Sequence, residues 1–178
     1  GILFMTKVLP TSALETGRNI LGAETHGMAQ RGGSVVSHLR IGKGRSSLIR
    51  TGTAHFVLAL EESEGYRNLP FLAQKAGLYV NAPVNGFPRD KVKAFLNERG
   101  IQCRAVDAGK MALELGAPMS TNLALLGFFS AFETWPVNHH QIRATIGRIT
   151  PERFKETNFR LFDAGFERGL GLDQGAKT

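Results

Sequence analysis

Cysteine is almost missing from this sequence of 178 residues, because Cys103 is the only one. A single thiol cannot form an internal disulfide and cannot supply the several thiolates of a metal cluster. Long apolar runs are missing too. The most apolar segment is residues 122–132, NLALLGFFSAF, which is shorter than the roughly 18 residues that span a bilayer and predicts a buried helix. The start of the sequence has no basic region followed by a cleavage site, so we expect a cytoplasmic protein with no membrane segment.

Acidic residues are fewer than basic ones. The sequence has 22 Lys and Arg against 15 Asp and Glu, which gives a net charge of +7 and a pI near 10. A chain this basic raises the question of nucleic-acid binding. However, its cations are scattered, and the richest patch, RIGKGRSSLIR at residues 40–50, has no aromatic residues between them. We therefore expect no nucleic-acid partner. A solvated basic surface is the first interpretation, and an anionic cofactor or an acidic partner subunit remain the alternatives.

Apolar residues alternate along the chain between strand-like and helix-like spacing, which predicts an α/β fold. Two extended segments at 19–23 and 34–41 are joined too tightly for a helical crossover. We therefore predict a Rossmann-like layered domain, with a mixed, largely parallel central sheet flanked by helices. It spans residues 1–178 and ends in a helical region at about 139–170. The remaining predicted strands are 54–60, 77–82 and 101–106, and the predicted helices are 2–16 with a kink at Pro10, 61–76 interrupted near Pro70, 88–99, 110–115, 121–135, 139–147 and 151–168.

Polar chemistry and glycine are concentrated in one loop, ETHGMAQRGGSVVSHLRIG at residues 24–42. Gly32 and Gly33 permit close approach of another backbone or a ligand. Arg31 offers a planar fork to a carboxylate or phosphate, and Glu24 with His26 has the composition of an acid–base pair. The alternative interpretation is a tight turn whose polar groups are solvated.

Two further segments are candidates for ligand binding. Asn81 lies at the end of the predicted strand 77–82 and Asn85 follows it, and ligands of α/β sheets bind beyond the carboxyl ends of the strands. A plain turn is the alternative. The segment 116–122, GAPMSTN, precedes an apolar helix that Ser120 or Thr121 is expected to cap. A helix start rich in small residues, here including Ser120 and Asn122, also suits an anion at its amides.

The histidines and the cysteine are expected to have structural roles or none, rather than catalytic or metal-binding roles. His38 and His55 are isolated in predicted strands, where a hydrogen-bonded or exposed side chain is expected. His139 and His140 are adjacent and have no carboxylate at zinc-ligand spacing, so no metal site is predicted. Cys103 is expected to be a buried strand thiol.

The motif at residues 24–42 resembles the signature of the gamma domain of 2-oxoacid:ferredoxin oxidoreductases. Its form MAQRGG at residues 28–33 resembles the version found in the small (beta) subunits of the indolepyruvate-type members. The similarity extends over nearly the whole chain, with weaker matches at Asn81–Ala82 and at residues 116–129. The opening segment, GILFMTKVL, resembles the helix after a glycine-rich strand-turn that the family has upstream of this point.

The resemblance implies a subunit of an enzyme that oxidatively decarboxylates a 2-oxoacid and passes electrons to ferredoxin. Thiamine diphosphate, magnesium and the iron–sulfur clusters are then expected on a large (alpha) partner subunit, with coenzyme A shared between chains. No catalytic residue is assigned to this chain, apart from Glu24 and His26 as candidate supporting residues. The isolated chain is expected to be inactive and to form a homo-oligomer. A stand-alone nucleotide-binding or scaffold domain is the alternative. The candidate ligand or interface residues are Gln30, Arg31, Gly32, Gly33, Asn81, Asn85, Ser120 and Asn122.

Overall fold

The computed structural model describes residues 2–26 and 34–175. Helices and strands alternate through its first two thirds, and helices alone form the last third, as the sequence predicts. The elements in chain order are α1 (Ile2–Leu14), β1 (Ile20–His26), β2 (Val35–Ile41), β3 (Ala54–Ala59), α2 (Glu62–Arg67), a 3-10 turn (Leu69–Phe71), β4 (Leu72–Asn81), α3 (Asp90–Glu98), β5 (Gln102–Val106), α4 (Ala108–Glu114), a second 3-10 turn (Pro118–Ser120), α5 (Thr121–Phe132), α6 (His139–Ile149) and α7 (Glu152–Gly175).

The strands of the described chain form two sheets. β1 and β2 pair antiparallel, from Ile20 opposite Ile41 to His26 opposite Val35. β3, β4 and β5 pair parallel in that order. The predicted α/β class is confirmed, with the antiparallel and parallel pairings separated into two sheets.

The parallel sheet is covered on both faces. Successive residues of β4 alternate between two cores, because side chains of a strand point to opposite faces in turn. Tyr79 belongs to the core formed with α1, α5, α6 and α7, whereas Leu78 and Val80 belong to the core under α2 and α3. The apolar run at 77–82 therefore reflects a strand buried on both sides, as predicted.

Helices α5 and α7 pack in close contact through glycine. A Cβ atom on Gly127 would lie 1.9 Å from the carbonyl oxygen of Phe162, and one on Gly165 would lie 2.0 Å from that of Ala124. Such distances are impossible for real atoms, so each position requires glycine for the observed spacing. The predicted buried helix at 122–132 is confirmed, since every residue from Asn122 to Ser130 is buried.

The predicted helix 61–76 is wrong beyond residue 67. Proline lacks an amide hydrogen and ends the helical stretch near Pro70, and β4 begins at Leu72, opposite Ala54. The register then shifts: three extra residues of β4 lie between the pairs Ala54–Leu72 and Phe56–Gly77. Lys75, in this bulge, has a positive φ of 60°. The bulge breaks the period-two pattern, which is why the sequence indicated a strand only from residue 77.

None of the helices in the described part of the chain is long and apolar enough to cross a membrane.

Candidate functional site

The carboxyl ends of the parallel strands meet at one edge, which is where α/β sheets bind ligands. We call this edge the carboxyl edge and define it by the segments that follow the strands: residues 60–67 after β3, 81–89 after β4 and 107–109 after β5. Helix α2 lies over it, since a Cβ atom on Gly65 would be 3.1 Å from Val80 and 3.7 Å from Ala59.

Asn81 joins the three segments. Its amide nitrogen donates to the carbonyl oxygen of Leu60 at 3.0 Å, and its amide oxygen accepts from the backbone N–H of Gly109 at 3.0 Å. Gly109 lies in the first turn of α4, whose start is capped by Asp107 through a 3.0 Å bond from the backbone N–H of Lys110. The side chain of Asn81 therefore holds the ends of β3 and β4 and the start of α4 in a fixed relation.

The segment after β4 is fastened to α2. The hydroxyl of Tyr66 accepts from the backbone N–H of Arg89 at 2.9 Å, and the guanidinium of Arg89 pairs with Glu62 at 3.2 Å. The ring of Tyr66 also packs on Phe87 with centroids 5.4 Å apart. Partial burial, together with the nearby Glu62 carboxylate, raises the pKa of Tyr66 above its ordinary value, so this hydroxyl stays protonated at neutral pH.

Ser34, within the motif at residues 24–42, reaches the same edge. Its hydroxyl donates to a carboxylate oxygen of Glu64 at 2.5 Å. Glu64 precedes Gly65 on α2 and also pairs with Arg67. Ser34 is therefore fastened to α2.

The motif residues themselves are only partly described. Gln30, Arg31, Gly32 and Gly33 lie outside the described residues. Glu24 and His26 form part of β1, where their backbones pair with Ser37 and Val35, and the arrangement of their side chains lies outside what is described.

The other candidates fall in three different environments. Asn85 is exposed, and no hydrogen bond joins it to another described residue. Asn122 is 4% exposed at the start of α5. Ser120 is half-buried and immediately precedes that helix. The structure thus places Asn81 at the carboxyl edge as a structural link, whereas Asn85 lies free on the surface.

The predicted caps of α5 are wrong. Ser120 makes no capping bond, and the Thr121 hydroxyl donates backwards to the carbonyl oxygen of Pro118 at 3.1 Å. Capping needs an extended residue before the helix. The 3-10 turn runs directly into α5 and holds Ser120 at φ −110° and ψ 22° instead.

The histidines and the cysteine behave as structural residues. The Nδ1 atom of His38 accepts from the backbone N–H of Ile49 at 3.1 Å, and His55 is exposed. His139 stacks on Phe162 and Phe166 with ring centroids 4.9 and 3.7 Å away. Burial raises the pKa of the Cys103 thiol to about 11, which leaves it protonated and unreactive at neutral pH.

One polar cluster was not predicted. The fully buried Tyr79 donates its hydroxyl hydrogen to Glu133, and Arg104 donates to the same hydroxyl oxygen at 3.4 Å while stacking on Phe132 at 4.3 Å. Burial, with the neighbouring Glu133, raises the pKa of Tyr79 far above its ordinary value. A cavity of about 300 Å³ opens beside this cluster. Tyr79 lies in an apolar run, and Glu133 lies 54 residues further along the chain, directly after α5. No local pattern in the sequence could therefore have predicted the contact between these two residues.

The cysteine content of this chain does not fit an iron–sulfur cluster. Such clusters take about four cysteine thiolates each, and the sequence has one cysteine. Within residues 2–26 and 34–175, no three His, Cys, Asp or Glu side chains come together as metal ligands. The described residues of the carboxyl edge offer hydrogen bonding and charge.

Comparison with known proteins gives consistent results. The family described as pyruvate ferredoxin/flavodoxin oxidoreductase matches residues 1–168. The chain is 32% identical to indolepyruvate oxidoreductase subunit IorB of Methanothermobacter thermautotrophicus, over 93% of this chain and 90% of that protein. It is 31% identical to the subunit of the same name in Thermococcus kodakarensis, over 97% and 93%. Among solved structures, a keto/oxoacid ferredoxin oxidoreductase gamma subunit from Geobacter sulfurreducens has a TM-score of 0.68 at 22% identity, over 92% of this chain and 88% of that one.

Proposed function

This chain belongs to the pyruvate ferredoxin/flavodoxin oxidoreductase family, and from that premise we propose that it is the small subunit of a 2-oxoacid:ferredoxin oxidoreductase. The observation that carries the proposal is the end-to-end similarity to two archaeal proteins named as indolepyruvate oxidoreductase subunits. Their names favour indolepyruvate, or another aryl pyruvate, as the substrate of the assembled enzyme. The alternative of a stand-alone nucleotide-binding or scaffold domain is not favoured, because these relatives are subunits.

The proposed division of labour combines the residues with the family resemblance. The single cysteine cannot hold a cluster, because each cluster takes about four cysteine ligands, so the iron–sulfur clusters belong on another chain. The resemblance implies that thiamine diphosphate and magnesium lie with them on a larger partner subunit. When bound there, thiamine diphosphate supplies the decarboxylation chemistry and the clusters carry electrons towards ferredoxin. This chain contributes a fixed edge of hydrogen-bonding groups against which the partner closes, and coenzyme A is shared at that boundary.

Within this chain, the motif and the carboxyl edge form the proposed contact region. The Ser34–Glu64 bond fastens Ser34 to α2, and Asn81 fixes the ends of the strands at the carboxyl edge. Gln30, Arg31, Gly32 and Gly33 then serve the ligand or the partner, as the notably polar composition of the motif suggests. Arginine suits this role because its two parallel N–H donors grip a carboxylate or phosphate in a way that lysine cannot reproduce.

The function is tested by expressing the chain alone and together with its large subunit. Each preparation is assayed with indolepyruvate, phenylpyruvate, pyruvate and 2-oxoglutarate, in the presence of coenzyme A, thiamine diphosphate, magnesium and ferredoxin. We expect turnover only in the complex, with the aryl pyruvates preferred. Turnover by this chain alone, or a large subunit whose full activity is unaffected by its absence, would contradict the proposal.

The role of Arg31 is tested by Arg31→Lys in the assembled enzyme. We expect activity to fall about tenfold or more, because one lost bidentate contact of about 1.4 kcal/mol changes a rate by that factor. Melting of the isolated chain should be unchanged. If melting drops by several degrees while activity per folded molecule is preserved, Arg31 has only a structural role.

A further inference from the structure

One segment of the chain contains basic residues but no acidic ones. Residues 25–60 contain no Asp or Glu, whereas five cations lie within them: Arg31, Arg40, Lys43, Arg45 and Arg50. The segment therefore carries a formal charge of +5 out of +7 for the whole chain. The basic character of the protein is thus concentrated in the β1–β2 hairpin and the loop that follows it, residues 42–53.

Cations elsewhere are often neutralised by nearby carboxylates. Arg143, for example, holds Asp163 with two nitrogens at 2.8 to 3.1 Å, and Lys93 pairs with Asp90 at 2.8 Å. In contrast, none of the carboxylates in the described part of the chain forms an ion pair with a cation of residues 40–50. The positive field of residues 40–50 is therefore left uncompensated by the described residues.

Arg40 contributes to that positive field although its guanidinium is hydrogen-bonded. Its guanidinium donates to the backbone carbonyl oxygens of Ser46 at 2.8 Å and Leu48 at 3.3 Å. Carbonyl oxygens satisfy the donors but carry no net charge, so the positive charge remains. The arginine thus shapes the loop without being neutralised.

The loop is held in one conformation. The backbone N–H of Gly42 donates to Asn19 at 2.8 Å, that of Ile49 donates to His38 at 3.1 Å, and the Thr53 hydroxyl donates to Arg50 at 2.7 Å. The chain also turns tightly over Arg40, since a Cβ atom on Gly44 would lie 2.3 Å from the Arg40 Cδ atom. A loop fixed in advance loses little conformational entropy when it binds.

The loop exposes both cations and an apolar side chain. Lys43, Arg45 and Arg50 are exposed, and Leu48, between Arg45 and Arg50 along the chain, is 51% exposed. A protein interface combines apolar contacts with a polar rim, whereas a phosphate ligand would gain nothing from Leu48. The cavities of about 530 and 300 Å³ described for this chain are both lined by other residues.

We propose that residues 42–50, the basic loop, form a docking surface for an acidic face of the large, cofactor-bearing subunit. This inference rests on the proposed function for the identity of the partner. The charges of the loop steer the two subunits together, and Leu48 supplies the desolvated contact at the centre.

The test compares two double charge reversals of equal net charge. Lys43→Glu with Arg45→Glu alters the basic loop. Lys91→Glu with Arg160→Glu alters two exposed cations on α3 and α7, which form no ion pair with a described residue. Binding to the purified large subunit is measured by biolayer interferometry between 50 and 400 mM salt. We expect the loop variant to bind at least tenfold more weakly at low salt, with a shallower salt dependence, and the control variant to resemble wild type.

Equal affinity and equal salt dependence for the two variants would overturn the docking proposal. So would an unchanged affinity with a raised KM for coenzyme A, because the loop would then serve a phosphate ligand. The proposed function is judged separately, by whether wild-type chain restores aryl pyruvate oxidation to the large subunit. If the wild-type chain binds the large subunit in a salt-dependent way but does not restore aryl pyruvate oxidation, the docking proposal is supported and the proposed function is contradicted.

Discussion

At the scale of single residues, Asn81 is the clearest case of a side chain that links distant parts of the chain. Its position at the end of a buried strand could be predicted from the sequence, because the predicted strand 77–82 ends one residue later. The role of its amide could not be predicted. Its partners Leu60 and Gly109 lie 21 and 28 residues away along the chain, and only the parallel pairing of β3, β4 and β5 brings them together.

Replacing Asn81 with alanine should leave one carbonyl and one N–H without partners. We expect Asn81→Ala to lower the free energy of unfolding by about 2 kcal/mol, measured by urea denaturation. Asn85→Ala, at an exposed position without a described bond, should change it by less than about 0.5 kcal/mol. Equal stability of the two variants would show that the Asn81 bonds contribute nothing.

His139 should make stability depend on pH. Burial lowers the pKa of its imidazole, and His140 and Arg143 act in the same direction while Asp163 partly opposes them. His139 also begins α6, where the helix dipole disfavours a cation. Because the folded state binds the proton more weakly than the unfolded state, this stabilisation is complete above the ordinary histidine pKa of about 6.5 and is lost as the pH falls below it.

The corresponding experiment uses His139→Phe, which keeps an aromatic ring against Phe162 and Phe166 but cannot titrate. Melting temperatures are measured between pH 7.5 and 5.5, in a window above the titration of most carboxylates. We expect the wild type to lose stability over this range and the variant to lose less. His55→Phe, at an exposed strand position, provides the control and should preserve the wild-type slope. A wild-type slope in His139→Phe as well would exclude His139 as the source.

At the scale of elements, the contact between α5 and α7 depends on glycine. Gly165→Ala would drive a methyl group into the Ala124 carbonyl, and we expect a loss of about 2 kcal/mol or more from such overpacking. Gly171→Ala lies on the same helix with no atom within 4 Å of the new methyl group. It should instead stabilise the protein by about 0.5 kcal/mol, through reduced backbone entropy of the unfolded chain. Urea denaturation measures the change in the free energy of unfolding for both variants, which should fall for Gly165→Ala and rise for Gly171→Ala. A Gly165→Ala protein as stable as the wild type would contradict the close packing.

Elements with a regular period were predictable, and those with an interrupted period were not. The helices α5, α6 and α7 and the strands β2, β3 and β5 follow from the spacing or the uninterrupted run of their apolar residues. The bulge around Lys75 interrupts β4, so residues 72–76 were assigned to a helix. Similarly, the small residues before α5 predicted a capped start, but a 3-10 turn takes the place of the cap. The backbone geometry of the bulge and of the 3-10 turn depends on tertiary packing, which cannot be predicted from the neighbouring residues in the sequence.

At the scale of the whole molecule, the surface available for self-association agrees only in part with the sequence-based prediction. The sequence predicts two faces, the apolar helix 121–135 and the phenylalanines of the last helix, Phe154, Phe159, Phe162 and Phe166. Helix α5 and Phe162 are buried in the core, whereas Trp135 and Phe154 are exposed. The exposed apolar side chains include Leu113 in α4, Met119 in the turn before α5 and Leu172 near the end of α7, at 67%, 88% and 45% exposure.

We still expect the isolated chain to form a dimer or a larger species, because exposed apolar side chains favour association. Light scattering coupled to size-exclusion chromatography measures the mass. Leu113→Lys combined with Met119→Lys should shift the protein towards the monomer. Leu14→Lys, at an exposed apolar residue elsewhere, should leave the mass unchanged. A wild-type monomer at high concentration would contradict the expectation.

The residues of the two cores become available for folding at different times during synthesis. The core under α2 and α3 draws only on residues between 57 and 105, so all of its members have left the ribosome before the second half of the chain is complete. The other core combines Val8 and Ala13 of the first helix with Leu161 and Phe162 of the last. Contacts of such long range form late. Helix α1 packs against β2, α5 and α6, and α6 is the last of these to be synthesised. A chain that ends before residue 139 therefore leaves part of the apolar face of α1 uncovered, and we expect such a chain to bind holdase chaperones.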